Sequence, residues 1–427
     1  MKKYFIIYSL FQALFLSTSD LFAKNDEEDF RYKNNNFLPL FVEIVGRYSM
    51  PYFLRCDTEV IQARLGENPI GFITFVRDNQ SGKICQRTGE VMQDVFVSPL
   101  DPYTGLPLES IQSKHVGSNE CGKPVLSDAE FGLDSANRPL LAYTSDNGVQ
   151  LVQFQGDNWD TITFVNQKIP YSDKWQIAGE PLSQHLSELQ IEVLTDPVLP
   201  DAYRTMSNVV WLRISSDVSG KIKNIEKIHK FYYWDKESDR TSFKSHIHPE
   251  DPTKFIRVGK NGIYEFSDKG VDLALIHDSF PESTMRTWLI PEQECISLGL
   301  ARISNPQTCP AIVFGDHTEG DKWNLIVKAK HFNGNWVEIL RVPYNNTIRV
   351  NANIINHLNY PRSVILVTGD GDARLYFLDG SLFVVEDSTV HTKGSEMLYF
   401  SESQLLVIYY INANTREPQV IMVRVTQ

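Results

Sequence analysis

Short apolar segments separated by turn residues run through most of the chain, and residues 134–165 show this pattern most clearly. Within that stretch, RPLLAYT, GVQLVQF and NWDTITFV have the short, apolar, β-branched and aromatic character of strands. The triplets DNG and GDN separate them, and such residues readily adopt the positive φ angles of tight hairpins. With the apolar residues at 125–133 ahead of it, the stretch predicts a four-stranded antiparallel meander.

The same order of a leading strand, a strongly apolar strand and a hairpin partner recurs along the chain. Seven apolar segments mark it, at residues 70–76, 139–143, 209–214, 263–266, 311–314, 364–367 and 405–410. Their starts are 41 to 70 residues apart, and a four-stranded propeller blade takes about 40 to 50 residues. We therefore expect an all-β fold, a seven-bladed β-propeller, in which extra loops lengthen the first two intervals.

Two tryptophans support an internal repeat. Trp159 and Trp336 each follow the last tight turn of a predicted unit, after GDN and NGN respectively. Residues 364–385 add a further strand–turn–strand–turn–strand pattern. Helical periodicity is nearly absent, which excludes α-helical solenoids. Tandem β-sandwiches are the alternative architecture that the pattern leaves open.

Two long connections interrupt the early units. Residues 98–122 are rich in Pro, Gly and Ser, which is typical of a loop. Residues 167–200 form the second connection, and we expect a short helix within it at 181–194.

The first and last strands of the domain are expected to pair with each other. The last unit supplies three strands, at 396–400, 405–412 and 419–425. Residues 38–45 (LPLFVEIV) form an extra strand ahead of the first unit, with apolar side chains on both sides. Pairing 38–45 with 419–425 would complete the last blade and remove an unpaired sheet edge. We expect this extra strand to be covered from both sides.

Composition narrows the function classes. The chain has 427 residues, of which 42% are hydrophobic and 22% charged, so it can form a large core. Aromatic residues make up 11%, in keeping with a β-rich fold. The net charge of −12 repels phosphate backbones, which argues against nucleic acid as a partner.

The N-terminus has the three-part pattern of a secretory signal peptide. Lys2 and Lys3 precede an apolar run at 4–16, and Ala23 offers a small residue for cleavage. We expect residues 1–23 to be the signal peptide, 24–37 a mobile leader and 38–427 a single propeller domain. The mature protein would then be exported, periplasmic or secreted, with no stable membrane anchor. Retention of the apolar run as an anchor is the alternative, although the run is short for a spanning helix.

Export places the cysteines in an oxidising compartment, where disulfides form. The chain has five, Cys56, Cys85, Cys121, Cys295 and Cys309. Cys295 and Cys309 are closest in sequence and far from the others, so we expect them to pair first. Cys85 with either Cys56 or Cys121 is the second expected bridge. No CxxC motif is present, which argues against metal or redox use.

Three polar clusters are candidates for a metal-binding or catalytic site. His246 and His248 are two residues apart, so on a strand both rings would face one side and could hold zinc. Asp370 and Asp372 flank Gly371 and could offer oxygens to calcium. In both places an ordinary connection or hairpin turn explains the residues, and we expect no metal and no cofactor.

The third cluster is a polar hairpin tip, formed by Asp316, His317, Glu319 and Asp321. Paired carboxylates can act as acid and base on a glycosidic bond, but carboxylates at a turn are usually only hydrated. The aromatic run at 231–234 (FYYW) could form a stacking platform for a sugar or peptide, or pack between blades. No catalytic residue is assigned.

The segment DSANRPLLAYTSDNGVQLVQFQGDNW resembles the repeats of bacterial sialidase-like (BNR-type) β-propellers, most strongly over 134–165. Those repeats run from an Asp through an apolar strand ending in Tyr to a Gly turn, a second strand, and then Gly and Trp. The sialidase Asp-box, Ser-x-Asp-x-Gly-x-x-Trp, is absent, because no Trp follows Ser145 at the required spacing. The resemblance therefore implies the fold and not sialidase chemistry.

Two functions follow as expectations. The first is an exported, non-catalytic propeller that binds a protein or glycan, or acts as a scaffold, in the cell envelope or extracellular space. The second is a glycoside hydrolase or lyase with an axial active site, which needs two carboxylates about 5 to 10 Å apart. No GxSxG, HExxH or GK[ST] motif supports another enzyme class.

The signal-peptide pattern predicts the N-terminus of the mature protein. Because Ala23 is the small residue before the expected cut, N-terminal sequencing of exported protein should begin near Lys24. Replacing Ala23 with Trp should slow cleavage, since signal peptidase requires a small residue there. Recovery of the protein from the cytoplasm with Met1 intact would contradict export.

Overall fold

A computed structural model gives the fold of the chain. It describes residues 38–49, 61–63, 72–78, 93–107, 114–118, 130–133, 139–145, 148–155, 158–163, 188–195, 206–216, 222–234, 246–251, 254–259, 262–267, 272–279, 285–317, 322–369, 371–386, 396–412, 414–415 and 418–427.

These residues form seven antiparallel sheets, numbered here in chain order. Strand β1 (Phe41–Ser49) precedes them. Sheet I contains β2 (Ile61–Ala63), β3 (Phe72–Asp78), β4 (Gln93–Pro99) and β5 (Lys114–Ser118). Sheet II contains β6 (Glu130–Leu133), β7 (Pro139–Ser145), β8 (Gly148–Gln155) and β9 (Asn158–Thr163). Sheet III contains β10 (Glu188–Thr195), β11 (Met206–Ser216) and β12 (Ile222–Trp234).

Sheet IV contains β13 (His246–Ile247), β14 (Lys254–Gly259), β15 (Gly262–Ser267) and β16 (Asp272–His277). Sheet V contains β17 (Met285–Ile290), β18 (Cys309–His317), β19 (Trp323–Lys330) and β20 (Trp336–Tyr344). Sheet VI contains β21 (Arg349–Ile355), β22 (Arg362–Gly369), β23 (Asp372–Phe377) and β24 (Leu382–Glu386). Sheet VII contains β25 (Glu396–Phe400), β26 (Leu405–Ile411), β27 (Pro418–Thr426) and, at its outer edge, β1.

The seven sheets follow one another through their first strands. Contacts between first strands connect β13 to β17, β17 to β21, β21 to β25, β25 to β2, β2 to β6 and β6 to β10. Within sheets I to VI the strands lie side by side in chain order, as consecutive antiparallel hairpins. This is a β-propeller-like, all-β fold.

The predicted meander at 134–165 is confirmed as β7, β8 and β9, with β6 ahead of them. Six of the seven apolar segments lie on the second strand of a sheet. The exception is 263–266, which lies on β15, the third strand of sheet IV. There β14 (KFIRVG) is the second strand, and basic residues interrupt its apolar pattern.

Two expectations for the long connections are wrong. Residues 188–194 lie in β10, paired with β11 along its length, and not in a helix. The expected loop at 98–122 contains β5, the outer strand of sheet I. Its first half is packed as well, because Leu100 is buried in a cluster with sheet VII and the Tyr409 hydroxyl donates to Gly105 O at 2.8 Å. Long-range partners decided both segments, and local composition does not report them.

The one helix among the described residues is α1 (Glu292–Ser297), between β17 and β18. Glu294 and Cys295 on this helix are buried. Over the part of the chain that the structure describes, no helix is long and apolar enough to span a membrane.

The second strands of sheets V and VI are buried on both faces. On β18, Ala311 and Val313 join the core between sheets V and VI, whereas Ile312 and Phe314 join the core between sheets IV and V. On β22 the pattern repeats, with residues 364 and 366 facing sheet VII and residues 365 and 367 facing sheet V. The sequence of a strand between two neighbouring sheets is a continuous apolar run because both faces of the strand are covered.

Strand β1 pairs with β27, as the sequence predicted. The register opposes Phe41 with Thr426 and Ser49 with Gln419, and a bulge separates Ile44 from Gly46. The expectation that β1 is covered from both sides is wrong, because Phe41 is 64% exposed. As the outermost strand, β1 has no sheet of its own to cover its second face.

Leu40 should therefore contribute most of the packing of this terminal segment. It is 7% exposed and lies in the core between sheets VI and VII, whereas Leu38 is 47% exposed. Leu40→Ala should lower the free energy of unfolding by about 2 to 4 kcal/mol, measured by chemical denaturation. The matched variant Leu38→Ala should change it by less than about 0.5 kcal/mol. Equal effects would contradict docking of Leu40 in the core.

Candidate functional site

Three polar side chains meet at the first strands of sheets V, VI and VII. Arg286 on β17 donates from Nη2 to Glu396 Oε1 on β25 at 3.1 Å. Asn351 on β21 donates from Nδ2 to the other carboxylate oxygen, Glu396 Oε2. We call Arg286, Asn351 and Glu396 the axial cluster, because in a propeller-like fold the first strands line the central axis.

The arginine and the glutamate reach across an intervening strand. Arg286 belongs to sheet V and Glu396 to sheet VII, and β21 of sheet VI lies between their strands. The Arg286 side chain is 28% exposed and the Glu396 side chain 20%, so solvent reaches the pair.

The positions of Arg286 and Glu396 are fixed by the buried residues that follow them on their strands. Arg286 and Glu396 lie at or next to the start of their strands, and the residues that follow, Trp288 and residues 397–400, are buried in the cores on either side. The packing of those apolar residues fixes the position of the strand starts. Asn351 is 7% exposed, and its amide is held by the hydrogen bond to Glu396.

The cluster offers both hydrogen-bond donors and acceptors. Glu396 is the only carboxylate among the described side chains of β17, β21 and β25, and Arg286 neutralises it. A pair of carboxylates, the requirement for glycoside hydrolysis, is therefore not present on those three strands. Planar amide, guanidinium and carboxylate groups are instead suited to binding a polar ligand.

A second polar cluster joins sheets IV and V. Glu265, buried on β15, accepts hydrogen bonds at Oε1 from Lys330 Nζ at 2.7 Å and from Trp336 Nε1 at 2.8 Å. His248 Nε2 lies 3.4 Å from the same oxygen. Burial disfavours the charged carboxylate, but the interaction with His248 and the hydrogen bonds from Lys330 and Trp336 outweigh it and lower the pKa of Glu265 to about 2.

This second cluster revises the expectation for the histidine pair. Strand β13 ends at Ile247, so His248 lies beyond the strand, and it is 2% exposed and not part of a solvated connection. Glu250 N donates to His248 Nδ1 at 3.3 Å, which directs Nε2 toward Glu265. Among the described residues, no group of three or more His, Cys, Asp or Glu side chains is arranged to hold a metal ion.

The expected hydrated hairpin tip is also revised. Asp316 is 6% exposed and accepts a hydrogen bond from Ser279 Oγ at 2.7 Å. Ser279 Oγ lies 2.7 Å from His277 Nε2, so the imidazole donates to the hydroxyl. Although burial opposes it, hydrogen bonding to His277 and Ser279 lowers the pKa of Asp316. Glu319 and Asp321 lie outside the described residues.

The structure describes part of the two remaining candidate sites, the turn at 370–372 and the aromatic run at 231–234. Residues Gly369 and Asp372 pair across the turn, with φ of 86° at Gly371, so the interpretation as a Gly-Asp hairpin is confirmed. Asp372 also bonds to Arg374, whereas Asp370 lies outside the described residues. The aromatic run at 231–234 lies on β12, the third strand of sheet III, and its side chains lie outside the description.

A buried ion pair anchors helix α1 to sheet VI. Arg362 Nη2 donates to Asp379 Oδ2 at 2.6 Å, and its Nε donates to Glu294 Oε1 at 3.3 Å. Ser363 N donates to Glu294 Oε2 at 2.8 Å. Burial raises the pKa of Glu294 to about 7 in spite of these bonds. Both Arg362 and Glu294 are fully buried, so this ion pair serves to pack helix α1 against sheet VI.

Cys295 and Cys309 lie in the same core, between sheets V and VI. Both are buried free thiols, and Cys295 Sγ donates to Ile290 O at 3.3 Å. Burial, followed by the interaction with the Cys309 thiol, raises the pKa of Cys295. Their proximity agrees with the predicted bridge, which stays a prediction. Cys56, Cys85 and Cys121 lie outside the described residues.

Sequence reasoning missed the axial cluster and Glu265. Glu265 interrupts the apolar segment IYEF, and an acidic residue inside an apolar strand is a signal that a buried partner exists. Arg286 and Glu396 gave no comparable signal. They are 110 residues apart, and only the adjacency of sheets V, VI and VII brings them together.

Comparisons with known proteins find only distant structural similarity. No protein-family model matches the sequence, and no curated protein matches it. The Synechocystis apocarotenoid oxygenase mutant Glu150Gln is similar at 9% identity and a TM-score of 0.39, over 90% of each chain. TolB from Acinetobacter baumannii is similar at 8% identity and a TM-score of 0.33, over 83% of this chain and 82% of TolB. The S. cerevisiae core factor matches at 9% identity and a TM-score of 0.37, and this chain spans 61% of that chain's length.

Glu265 gives a pH-dependent prediction. Its folded-state pKa of about 2 lies below the ordinary 4.5, so its stabilising contribution is present above pH 4.5 and is lost as the pH falls toward 2. Glu265→Gln should lower the free energy of unfolding by about 3 kcal/mol at pH 7, and by progressively less between pH 4.5 and 2. Chemical denaturation across this range measures the difference.

Glu338 provides the matched control, because its ion pair with Arg341 is solvent-accessible. Glu338→Gln should change the free energy of unfolding by less than about 0.5 kcal/mol at pH 7 and also between pH 4.5 and 2. A loss for Glu265→Gln that stays constant with pH would contradict the assigned charge state of Glu265.

Proposed function

We propose that this protein is an exported seven-bladed β-propeller that binds a polar group of a protein or glycan ligand at the axial cluster, without catalysis. The proposal includes closure of the ring between sheets III and IV, cleavage of residues 1–23, and a periplasmic or secreted location. It also includes the bridge between Cys295 and Cys309, which an oxidising compartment would favour.

The continuous arc of first strands supports a closed ring. Seven sheets follow one another from sheet IV through sheet VII to sheet III, each touching the next through its first strand. Strand β1 completes sheet VII, so that the sheet contains chain from both ends of the domain. An open arc would leave an apolar face of sheet III and of sheet IV without a neighbour, which the hydrophobic effect disfavours.

One observation carries the binding function: the Arg286–Glu396 pair bridges sheets V and VII along the axial edge and remains solvent-accessible. It differs from the Arg362–Glu294 pair, in which both side chains are fully buried, and from the Arg341–Glu338 pair, which lies on a single outer strand. A ligand carboxylate, amide or sugar hydroxyl can exchange with the Glu396 or Asn351 contacts without opening a core.

The alternative, a glycoside hydrolase or lyase, is less well supported. It requires a second carboxylate near Glu396, and among the described side chains of β17, β21 and β25 there is none.

A glycan microarray probed with the mature protein tests the proposal. Arg286→Gln and Glu396→Gln should each weaken glycan binding by at least about tenfold, because each removes a charge-assisted hydrogen bond. Arg341→Gln is the matched control, since it removes an exposed Arg–Glu pair from the outer strand of sheet V and should bind as the wild type does. Thermal unfolding checks that all three variants remain folded.

Two results would contradict the proposal. Equal binding by the wild type and both axial variants would exclude the axial cluster as the site. Hydrolysis of a 4-nitrophenyl glycoside that is lost in Glu396→Gln would establish catalysis and support the alternative function.

A further inference from the structure

A closed turn between β4 and β5 carries an exposed tyrosine at its tip. We call residues 100–107 the tyrosine turn, after Tyr103, which is 63% exposed. Asp101 N donates to Leu106 O at 2.8 Å, and Gly105 N donates to Asp101 O at 2.7 Å. Tyr103 N donates to Asp101 Oδ1 at 2.8 Å. These hydrogen bonds fix the backbone of the turn, so the Tyr103 side chain is presented to solvent from a rigid support.

The tyrosine turn is also anchored on sheet VII. Leu100 is 1% exposed and packs in one core cluster with Val407 and Val420. The Tyr409 hydroxyl donates to Gly105 O at 2.8 Å. Gly105 has a φ of 67°, and a Cβ at this position would lie 2.6 Å from Val407 Cγ1, so the close approach to sheet VII requires glycine.

The turn that joins β25 to β26, residues 401–404, lies beside the tyrosine turn. Ser403 Oγ donates to Pro102 O, and the residues that follow these two are Gln404 and Tyr103. Gln404 is exposed and has a φ of 56°, which makes it the one non-glycine residue with a positive φ in the described part of the chain. Glycine would adopt this conformation without strain, so the long amide side chain of Gln404 is kept at the surface at a cost in stability.

The two turns together present one aromatic ring surrounded by polar groups. Glu402 and Gln404 are exposed, and Asp101 and Thr104 are half-buried. Tyr103 is the only exposed large hydrophobic side chain that the structure describes in these two turns. Within the described part of the chain, nothing stacks on the Tyr103 side chain or forms a hydrogen bond with it. Its ring is therefore available to a ligand.

This combination of groups fits a neutral saccharide. The C–H face of a sugar ring packs on an aromatic ring, and its hydroxyls form hydrogen bonds with amide and carboxylate groups. A protein partner would require further exposed apolar residues around the tyrosine, and the two turns offer none among their described side chains. Asp101 and Glu402 are the charged residues of the two turns, which contain no Lys or Arg, so an acidic saccharide would be repelled.

We propose that Tyr103 and Gln404 form a binding site for a neutral saccharide, with the Tyr103 ring as the stacking surface and the Gln404 amide as a hydrogen-bonding group. The site is separate from the axial cluster, because Glu396 begins β25 and the 401–404 turn follows its last residue. A strand of five residues spans about 17 Å, so one sugar unit cannot contact both places.

A microarray of neutral glycans, which carry no sialic acid, sulfate or phosphate, tests the site on the mature protein. Tyr103→Ala should weaken binding by at least about tenfold, because the stacking surface is lost. Tyr103→Phe keeps the ring and should bind within about twofold of the wild type. Phe41→Ala is the matched control, since Phe41 on β1 is 64% exposed, and it should leave binding unchanged.

Gln404→Gly separates binding from folding. It should weaken binding by at least about threefold, because the amide is lost. It should leave the midpoint of thermal unfolding unchanged or raise it, because glycine accepts a φ of 56° without strain. A Gln404 that serves only the structure of the turn would not affect glycan binding.

Three results would overturn the proposal. The first is equal binding of neutral glycans by the wild type and Tyr103→Ala, and if Arg286→Gln abolishes that binding, the axial cluster is the glycan site. The second is a wild type that binds acidic glycans only, or no glycan at all. The third is binding of a protein ligand that Tyr103→Ala abolishes while no neutral glycan is bound, which would assign the tyrosine turn to a protein partner.

Discussion

The structure of sheets IV to VII depends on the burial of both faces of the central strands β18 and β22. On β18 and β22, successive side chains enter different cores, so neither strand can be satisfied by a sheet on one side only. A single four-stranded meander would leave one apolar face in water, which is why the sheets follow one another as a series. The first strands make the contacts that keep the series in order, from β13 through β25 to β10.

Polar groups occur where this apolar stacking leaves space for them. Between sheets IV and V, Glu265 is held by Lys330 and Trp336 at the rim of an apolar core. Between sheets V and VI, Arg362 and Glu294 are fully buried and every charge is compensated by a neighbour. The axial cluster differs because it lies at strand starts, where the cores end and solvent begins. Solvent access together with fixed geometry is what makes this cluster, and not the others, the candidate binding site.

The outer strands are the variable part of the architecture. A second strand has a sheet on each side, but an outer strand has a free edge and partly exposed faces, as Phe41 on β1 and Val384 on β24 illustrate. Outer strands are therefore where a propeller-like protein can acquire a partner without disturbing its core.

The sequence by itself determined the all-β class and many of the local hairpins. Apolar segments with Asn-Gly and Gly-Asp turns predicted the hairpins of sheets II, V and VI, and the leftover segment at 38–45 predicted pairing with β27. These inferences succeeded because hairpins join residues that are close in sequence, and because an unpaired edge has a cost that a leftover strand can remove. Only the tertiary structure decided that β1 is exposed, that 188–194 is a strand, and that Asp316 and His248 are buried. It also decided the axial cluster, since Arg286 and Glu396 are distant in sequence and meet only when three sheets stack around a shared edge. The burial of a residue and its contacts with residues distant in sequence depend on which sheets are neighbours. A local pattern of residues does not encode which sheets are neighbours.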